Sequence, residues 1–277
     1  MSSTIGQAVA RPSTSGRPST VDTRTQALSL RGVTHWFSTV DGPQLALRDI
    51  DLEVPFGQFV CLVGPSGCGK TTLLNTIAGQ IVPEVGTVDV LDQTGTRLPK
   101  SSIGYMSARD SLIPWRSVRH NVEFGLELRK VKRPARHARA DEMLALVGLG
   151  DKGKLYPQQL SHGMRQRANL ARTLSIDPDL LLVDEPFGAL DAQTKIRLQN
   201  EFLQIWEHTR KTVVFVTHDL TEACLLADRI VVIREGRIAK DLMVDFARPR
   251  DLDSLRFETG LQDLVKSLWS LISGDEQ

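Results

Sequence analysis

The sequence predicts an α/β fold organised around a phosphate-binding loop, and three observations carry that expectation. Phe59-Val60-Cys61-Leu62-Val63 is an apolar run of strand length. It leads directly into Gly64-Pro65-Ser66-Gly67-Cys68-Gly69-Lys70-Thr71-Thr72, and residues 72–79 then read as a helix opening off that loop. The loop matches G-x-x-x-x-G-K-[ST] at each fixed position, Gly64, Gly69, Lys70 and Thr71, in the strand–loop–helix setting the pattern requires. Two further apolar runs, residues 180–183 and 213–217, suit parallel strands buried on both faces.

Taken in order, residues 1–25 are rich in Ser, Thr, Pro, Gly and Arg without apolar periodicity, and are expected to be disordered. They lack the apolar central run of a secretory signal. Alternation predicts a strand over residues 27–33 and a second over 45–54, separated by the polar turn at Asp41-Gly42-Pro43. Between them, His35-Trp36-Phe37 sets two aromatics just ahead of a loop. Either ring suits a stack on a purine, a contact worth ~1–3 kcal/mol, or the filling of a core. Both readings stand at this point. Short strands follow at 86–91 and 102–105, around a Thr94-Gly95 turn.

Composition then changes. Leu112-Ile113-Pro114-Trp115-Arg116 places apolar bulk beside a proline, and a helical pattern covers 118–128. A basic segment, 129–139, is expected to interrupt it as a solvated linker and helix face before helical spacing resumes at 140–149. Residues 107–178 thus read as a helical insertion. The strand at 180–183 closes on Asp184 and Glu185, a long helix covers 192–208, and the strand at 213–217 ends in His218-Asp219. Residues 230–233, Glu235-Gly236 and 237–239 form a closing hairpin. An amphipathic helix over 252–271 covers the sheet, within a helical tail spanning 246–277.

With 277 residues and 41% hydrophobic composition, the chain can bury one large or two modest cores. A net charge of +1 argues against nucleic acid as a purely electrostatic partner. No stretch approaches the ~18 uncharged apolar residues of a spanning helix. Cys61, Cys68 and Cys224 form no C-x-x-C pair, which excludes a disulfide framework and a zinc site and suits a reducing compartment. Cys68 lies inside the loop, open to alkylation or oxidation, although a small loop residue with no chemical task is the simpler reading.

The chemistry follows from residue type. Loop glycines accept the dihedrals that turn backbone N–H groups onto an oxyanion, and the helix N-terminus adds about half a positive charge there. Lys70 would neutralise β- and γ-phosphates, and the Thr71 hydroxyl would hold Mg2+. Asp184, at the carboxyl end of an apolar strand, suits the metal shell. Glu185, one residue on, suits polarising a water for in-line attack. His218 ends the next strand and could donate to the γ-phosphate as charge builds. Each acid alone is a weak signal; together with the loop they define a triphosphate-hydrolysing constellation.

These residues carry a family resemblance. Gly64 to Thr72, then Leu160-Ser161-His162-Gly163-Met164, residues 180–185, Ala189-Leu190-Asp191 and His218 resemble, in that order, the ATP-binding subunits of ABC transporters. The likeness covers about residues 28–239. It implies a P-loop NTPase (RecA-like) core with an antiparallel β subdomain and a helical subdomain, the ATP-binding domain spanning 26–245. By that likeness Phe37 (or Trp36) stacks on adenine. Asp184 holds Mg2+, Glu185 is the general base, Asp191 the D-loop acid and His218 the switch histidine. Two subunits, in the simplest case two copies, sandwich ATP so that Ser161 and the helix starting near Gly163 meet the partner's γ-phosphate. Leu112, Ile113 and Trp115 fall where a transmembrane permease docks, on the cytoplasmic face of the membrane, with a substrate-binding protein acting indirectly.

Two departures stand out. His162 and Met164 replace a glycine and the glutamine of the family's LSGGQ signature, and a β-carbon at 162 crowds a segment that must approach phosphate. Ala108 takes the place of the Q-loop glutamine, which puts coupling and Mg2+ ligation in question. The Pro114-Trp115-Arg116 and Arg248-Pro249-Arg250 runs are similar to importers of nitrate, sulfonates and taurine. Two alternatives remain at this stage: a degenerate subunit that binds ATP beside a more active partner, and an ABC ATPase outside transport.

Overall fold

The computed structural model describes residues 26–40, 42–107, 111–188 and 190–273. The expected disordered tail, residues 1–25, lies outside the described residues, as does the Q-loop position Ala108.

Two sheets build the core. Strands β1 (Gln26–Thr39), β2 (Gly42–Pro55) and β4 (Val85–Val90) form an antiparallel sheet in the order β2-β1-β4. The second sheet comprises β3 (Phe59–Val63), β5 (Ile103–Met106), β6 (Leu180–Asp184), β7 (Thr212–Val216), β8 (Arg229–Arg234) and β9 (Arg237–Met243). Its order is β5-β6-β7-β3-β8-β9, parallel throughout except for the closing β8–β9 hairpin. The three continuous apolar runs occupy its centre. Phe59, Cys61 and Val63 of β3 face one core while Val60 and Leu62 face the other; Val213, Phe215 and Val214, Val216 of β7 divide in the same way. A period of two with both faces buried is what makes such runs uniformly apolar.

Helix α1 (Lys70–Ile77) lies in the core shared with the antiparallel sheet. The opposite face is covered by α2 (Val118–Leu128), α3 (Arg133–Leu146), α4 (His162–Ser175), α5 (Ala192–Thr209) and α6 (Leu220–Leu226). Here Phe59, Phe187, Phe202, Trp206 and Phe215 meet with ring centroids 5.3–6.1 Å apart. The insertion between β5 and β6 is helical as expected, with one correction. The basic segment does interrupt the helices, but only over residues 129–132, because α3 begins at Arg133 with Pro134 in its first turn. Arginine is a strong helix former and proline is preset for a helix start, so the rest of the basic segment forms the first turns of α3 with a solvated face.

Two further expectations change. The strand expected over 27–33 runs on to Thr39, so His35, Trp36 and Phe37 are strand residues. The single C-terminal helix is two: α7 (Leu252–Leu255) and α8 (Thr259–Ser273), the latter packed on α6 and β8 through Leu261 and Leu268. Helix α6 itself was not foreseen. Its signal was present, an Asp219-x-x-Glu222 pair with the spacing of a capping box.

The loop before α2 is pinned from within. Asn121, fully buried, accepts the Ile113 N–H at 2.7 Å and donates to the carbonyls of Ile113, Arg116 and Ser117, each at 3.1 Å. Arg116 lies over the Phe124 ring and pairs with Glu127. Leu112 is buried, so of the three apolar residues expected on the surface it belongs to the core, while Trp115 stands out at 78% exposed. Asn121→Leu orphans a buried N–H and is expected to cost at least ~1–3 kcal/mol. Denaturant titration checks this; an unchanged midpoint refutes it.

Candidate functional site

Strand register assembles the site. Leu62 pairs with Val216, and Val216 pairs with Asp184, so the carboxyl ends of β3, β7 and β6 lie side by side. The loop after Val63, the acid pair 184–185 and His218 therefore converge at one edge of a parallel sheet, where such folds bind ligands.

Within the loop, Lys70 is only 7% exposed, and its ammonium donates to the Gly64 and Pro65 carbonyls at 2.8 Å each, 3.7 Å from Cys68 Sγ. Two glycines do different work. A Cβ on Gly64 would sit 2.1 Å from the Ile233 carbonyl oxygen, so that residue is excluded by packing. A Cβ on Gly67 (φ +78°) would meet nothing within 4 Å, so there glycine serves the left-handed backbone on the open side of the loop. Gly69, also left-handed, caps α1 with no side chain, which directs the first-turn N–H groups of the helix toward the loop. Pro65, Ser66 and Thr72 complete the segment. Cys68 is buried, which leaves its thiol little exposed to alkylation or oxidation.

Asp184 is buried, with the Thr71 hydroxyl and the Tyr105 phenol beside it. Burial, then the neighbouring Glu185, pushes its carboxyl above the ordinary range, against the pull of Thr71, Tyr105 and Lys70. Tyr105, which also lies 3.0 Å from Asn75 Oδ1, is raised to about 12, chiefly by burial and then by Asp184. Sequence reasoning missed Tyr105 in this role; its position at the end of the strand beside β6 was the available hint. Glu185 adopts φ +41°, a left-handed backbone costing a non-glycine residue about 1–2 kcal/mol. Its N–H donates to the Val216 carbonyl at 3.0 Å, and its Oε2 lies 3.1 Å from His218 Nδ1. Gly188 backs this pair: a Cβ there would be 3.6 Å from His218 Cε1 and 3.8 Å from Glu185 Oε2.

The elevated Asp184 carboxyl has a stability consequence. The folded chain holds this proton more tightly than the unfolded chain, so its contribution is favourable at acid pH and is lost as pH rises through the folded value. At neutral pH the ionised group is a net cost. Nucleotide-free Asp184→Asn is expected to melt above the parent at neutral pH, the gap closing as pH falls into the ordinary carboxylate range. Calorimetry across that range reads it; a lower melting point at neutral pH contradicts it.

The remaining residues form a separate group. Ser161 caps α4 by accepting the Met164 N–H at 3.3 Å, and a Cβ on Gly163 would lie 3.3–3.4 Å from Thr194 and Leu198 of α5. Asp191 caps α5 by accepting the Thr194 N–H at 3.0 Å, and such bonds hold its carboxyl below the usual range. His162 is half-buried with Nδ1 3.5 Å from Arg165 Nη2. Phe37 and Trp36 are exposed, so neither fills a core. Phe37, 42% exposed, packs edge-on against His35, with ring centroids 4.6 Å apart. His35 pairs with Leu47, whose Cδ2 would lie 3.1 Å from a Cβ on Gly69. Paired and alternate residues share a strand face, which puts Phe37 on the side that meets the loop.

The donor set fits a triphosphate and a hard divalent ion. The buried Lys70 cation, the open Gly67 and the α1 N-terminus suit phosphate, and the adjoining Thr71 and Asp184 oxygens suit Mg2+. Among the described residues no group of three or more His, Cys, Asp or Glu side chains is placed to hold a metal ion by itself.

A family model described as "ABC transporter" matches residues 47–188. An aliphatic sulfonates import ATP-binding protein of Rhodopseudomonas palustris is 45% identical over 255 residues, covering 90% of this chain and 87% of that protein. A nitrate import ATP-binding protein of Synechococcus elongatus is 42% identical over 224 residues, 79% and 81% of the respective chains. A dimeric ATP-binding cassette solved in a post-hydrolysis state with ADP and Pi superposes with a TM-score of 0.69 at 29% identity, over 79% of this chain and 100% of that one.

Proposed function

The chain belongs to the ABC transporter family, and on that premise we propose that it is the ATP-hydrolysing subunit of an importer for a small oxyanion of the nitrate, sulfonate or taurine class. The observation that carries the reading is the line Thr71–Asp184, Glu185–His218 drawn across three neighbouring strand ends. Lys70 and the loop 64–72 bind the phosphates, and Phe37 stacks on the adenine. Thr71 and Asp184 hold Mg2+, which supplies charge neutralisation and orientation when bound. Glu185 takes the proton of the attacking water, and His218 fixes the Glu185 carboxylate and meets the γ-phosphate.

The catalytic unit is a dimer of two copies, supported by the dimeric cassette of the same family. Ser161, Gly163 and the N-terminus of α4 present donors to the partner's γ-phosphate, with Asp191 at the same interface. On this reading residues 26–245 make up the ATP-binding domain, and the described part of the C-terminal tail carries α7 and α8. Among the described residues no helix is long and apolar enough to cross a membrane. The subunit works at the cytoplasmic face, docked on a permease through Trp115 and Ile113, with a substrate-binding protein delivering the solute.

Removing the switch contact tests the hydrolytic reading. His218→Ala is expected to lower phosphate release by roughly 10²–10³-fold, the usual loss for one transition-state donor. Turnover at parental rate rejects it. The transport reading is tested by deleting the gene and following uptake of labelled nitrate, taurine and an alkanesulfonate. Loss of one class supports it, and unchanged uptake of all three overturns it.

A further inference from the structure

Behind the switch histidine lies a buried carboxylate that the hydrolytic scheme does not use. Glu222, in the first turn of α6, is 2% exposed. Its capping-box spacing notwithstanding, the side chain does not return to the α6 N-cap. Instead Oε2 accepts the Thr217 hydroxyl and Oε1 accepts Gln199 Nε2 at 2.8 Å, with Lys195 Nζ 3.9 Å away.

Both neighbours of His218 are tied to this group. The Asp219 N–H donates to Thr217 Oγ1 at 3.0 Å, so that hydroxyl, itself bound to Glu222, bridges across the histidine. The Asp219 carboxylate accepts the Glu222 N–H at 3.1 Å and receives Lys195 Nζ at 2.8 Å. The chain continues outward. Gln199 Oε1 accepts Arg256 Nη2 at 2.6 Å, and Arg256 is the first of the three residues that separate α7 from α8. A buried carboxylate carries a desolvation cost of several kcal/mol, and an apolar residue of similar volume would fill the space without it. What Glu222 provides is a unique hydrogen-bonded arrangement, and the backbone it fixes is that of His218.

We propose that Glu222 is a positioning residue for His218, and that Gln199 and Arg256 extend this control to the C-terminal segment, so that seating of α7 and α8 sets the turnover of the site. The proposal rests on the reading of His218 given above. It makes the C-terminal segment an input to hydrolysis, acting through side chains outside the phosphate loop and the acid pair.

The test uses the full chain with Thr217→Val, Thr217→Ser, Arg256→Met and His218→Ala, and the double variant His218→Ala/Arg256→Met. Steady-state phosphate release gives kcat and KM for ATP, a fluorescent ATP analogue gives affinity, and thermal melting monitors the fold. Thr217→Val and Arg256→Met are expected to lower kcat by roughly tenfold, within the range of coupling between contacting residues, with KM and affinity unchanged. Thr217→Ser, which keeps the hydroxyl, restores kcat. Arg256→Met adds no further loss on the His218→Ala background. Parental kcat in Thr217→Val and Arg256→Met, while His218→Ala is impaired, overturns the positioning role. So does a kcat loss that serine does not rescue, which marks a merely structural contact. Full turnover in His218→Ala instead defeats the underlying reading of the histidine.

Discussion

Glu185→Gln is expected to reduce ATP turnover by about 10²–10⁴-fold while leaving ATP binding intact. The glutamine matches the carboxylate in size and can keep a contact with His218 Nδ1, 3.1 Å from Oε2 in the parent, but it cannot take a proton from water. The backbone at φ +41° is held by the N–H bond to the Val216 carbonyl, which the substitution does not touch. Binding survives because the groups that grip phosphate, Lys70 and the loop amides, lie on β3 and α1 rather than on β6. With hydrolysis blocked, the ATP-bound dimer has no chemical route to opening, so it accumulates and is visible by size-exclusion chromatography in the presence of ATP. Phosphate release within threefold of the parent would remove Glu185 from the mechanism.

Lys70→Ala is expected to weaken ATP affinity by about 10²-fold, the equivalent of one or two charge-assisted hydrogen bonds at ~1.5–3 kcal/mol each. The lysine is buried, and its ammonium is already oriented by the Gly64 and Pro65 carbonyls, so little side-chain entropy is lost when phosphate arrives. Alanine removes the only cation in this part of the loop (residues 64–72) and leaves those two carbonyls without their donor. Isothermal titration with ATP reads the loss directly. Undiminished affinity would show that the loop is a structural turn, and the proposed function would fall with it.

The phosphate loop was legible because all its determinants lie within nine consecutive residues and act through backbone freedom, a helix end and one cation. The acid pair was legible for a related reason: charge at the end of a uniformly apolar run has nowhere to go but the edge of a sheet. The aromatic pair was not resolved by sequence, since a ring beside a loop looks the same whether it is covered or open. Its exposure, and the edge contact between His35 and Phe37, come from a strand that runs six residues further than the alternation suggested. The start of α3 was placed late, at 140 and not at Arg133, because basic residues carry no periodic apolar signal, though they are good helix formers. The loop at residues 112–116 was half legible: Trp115 is exposed as expected, while Leu112 turns inward to the core.

By itself the sequence determined the α/β class, the order of the motifs, the phosphate loop and the identity of the acids and the histidine. Each of these is written in local spacing, where side-chain period and backbone propensity act over a few residues. Only the tertiary structure decided that Tyr105 reaches Asp184, that Glu185 takes a left-handed backbone against Val216, and that Glu222 turns away from its own helix cap toward Thr217 and Gln199. Those outcomes depend on which strands pair and in what register, and on burial that makes an unmet polar group costly enough to choose a distant partner over a near one.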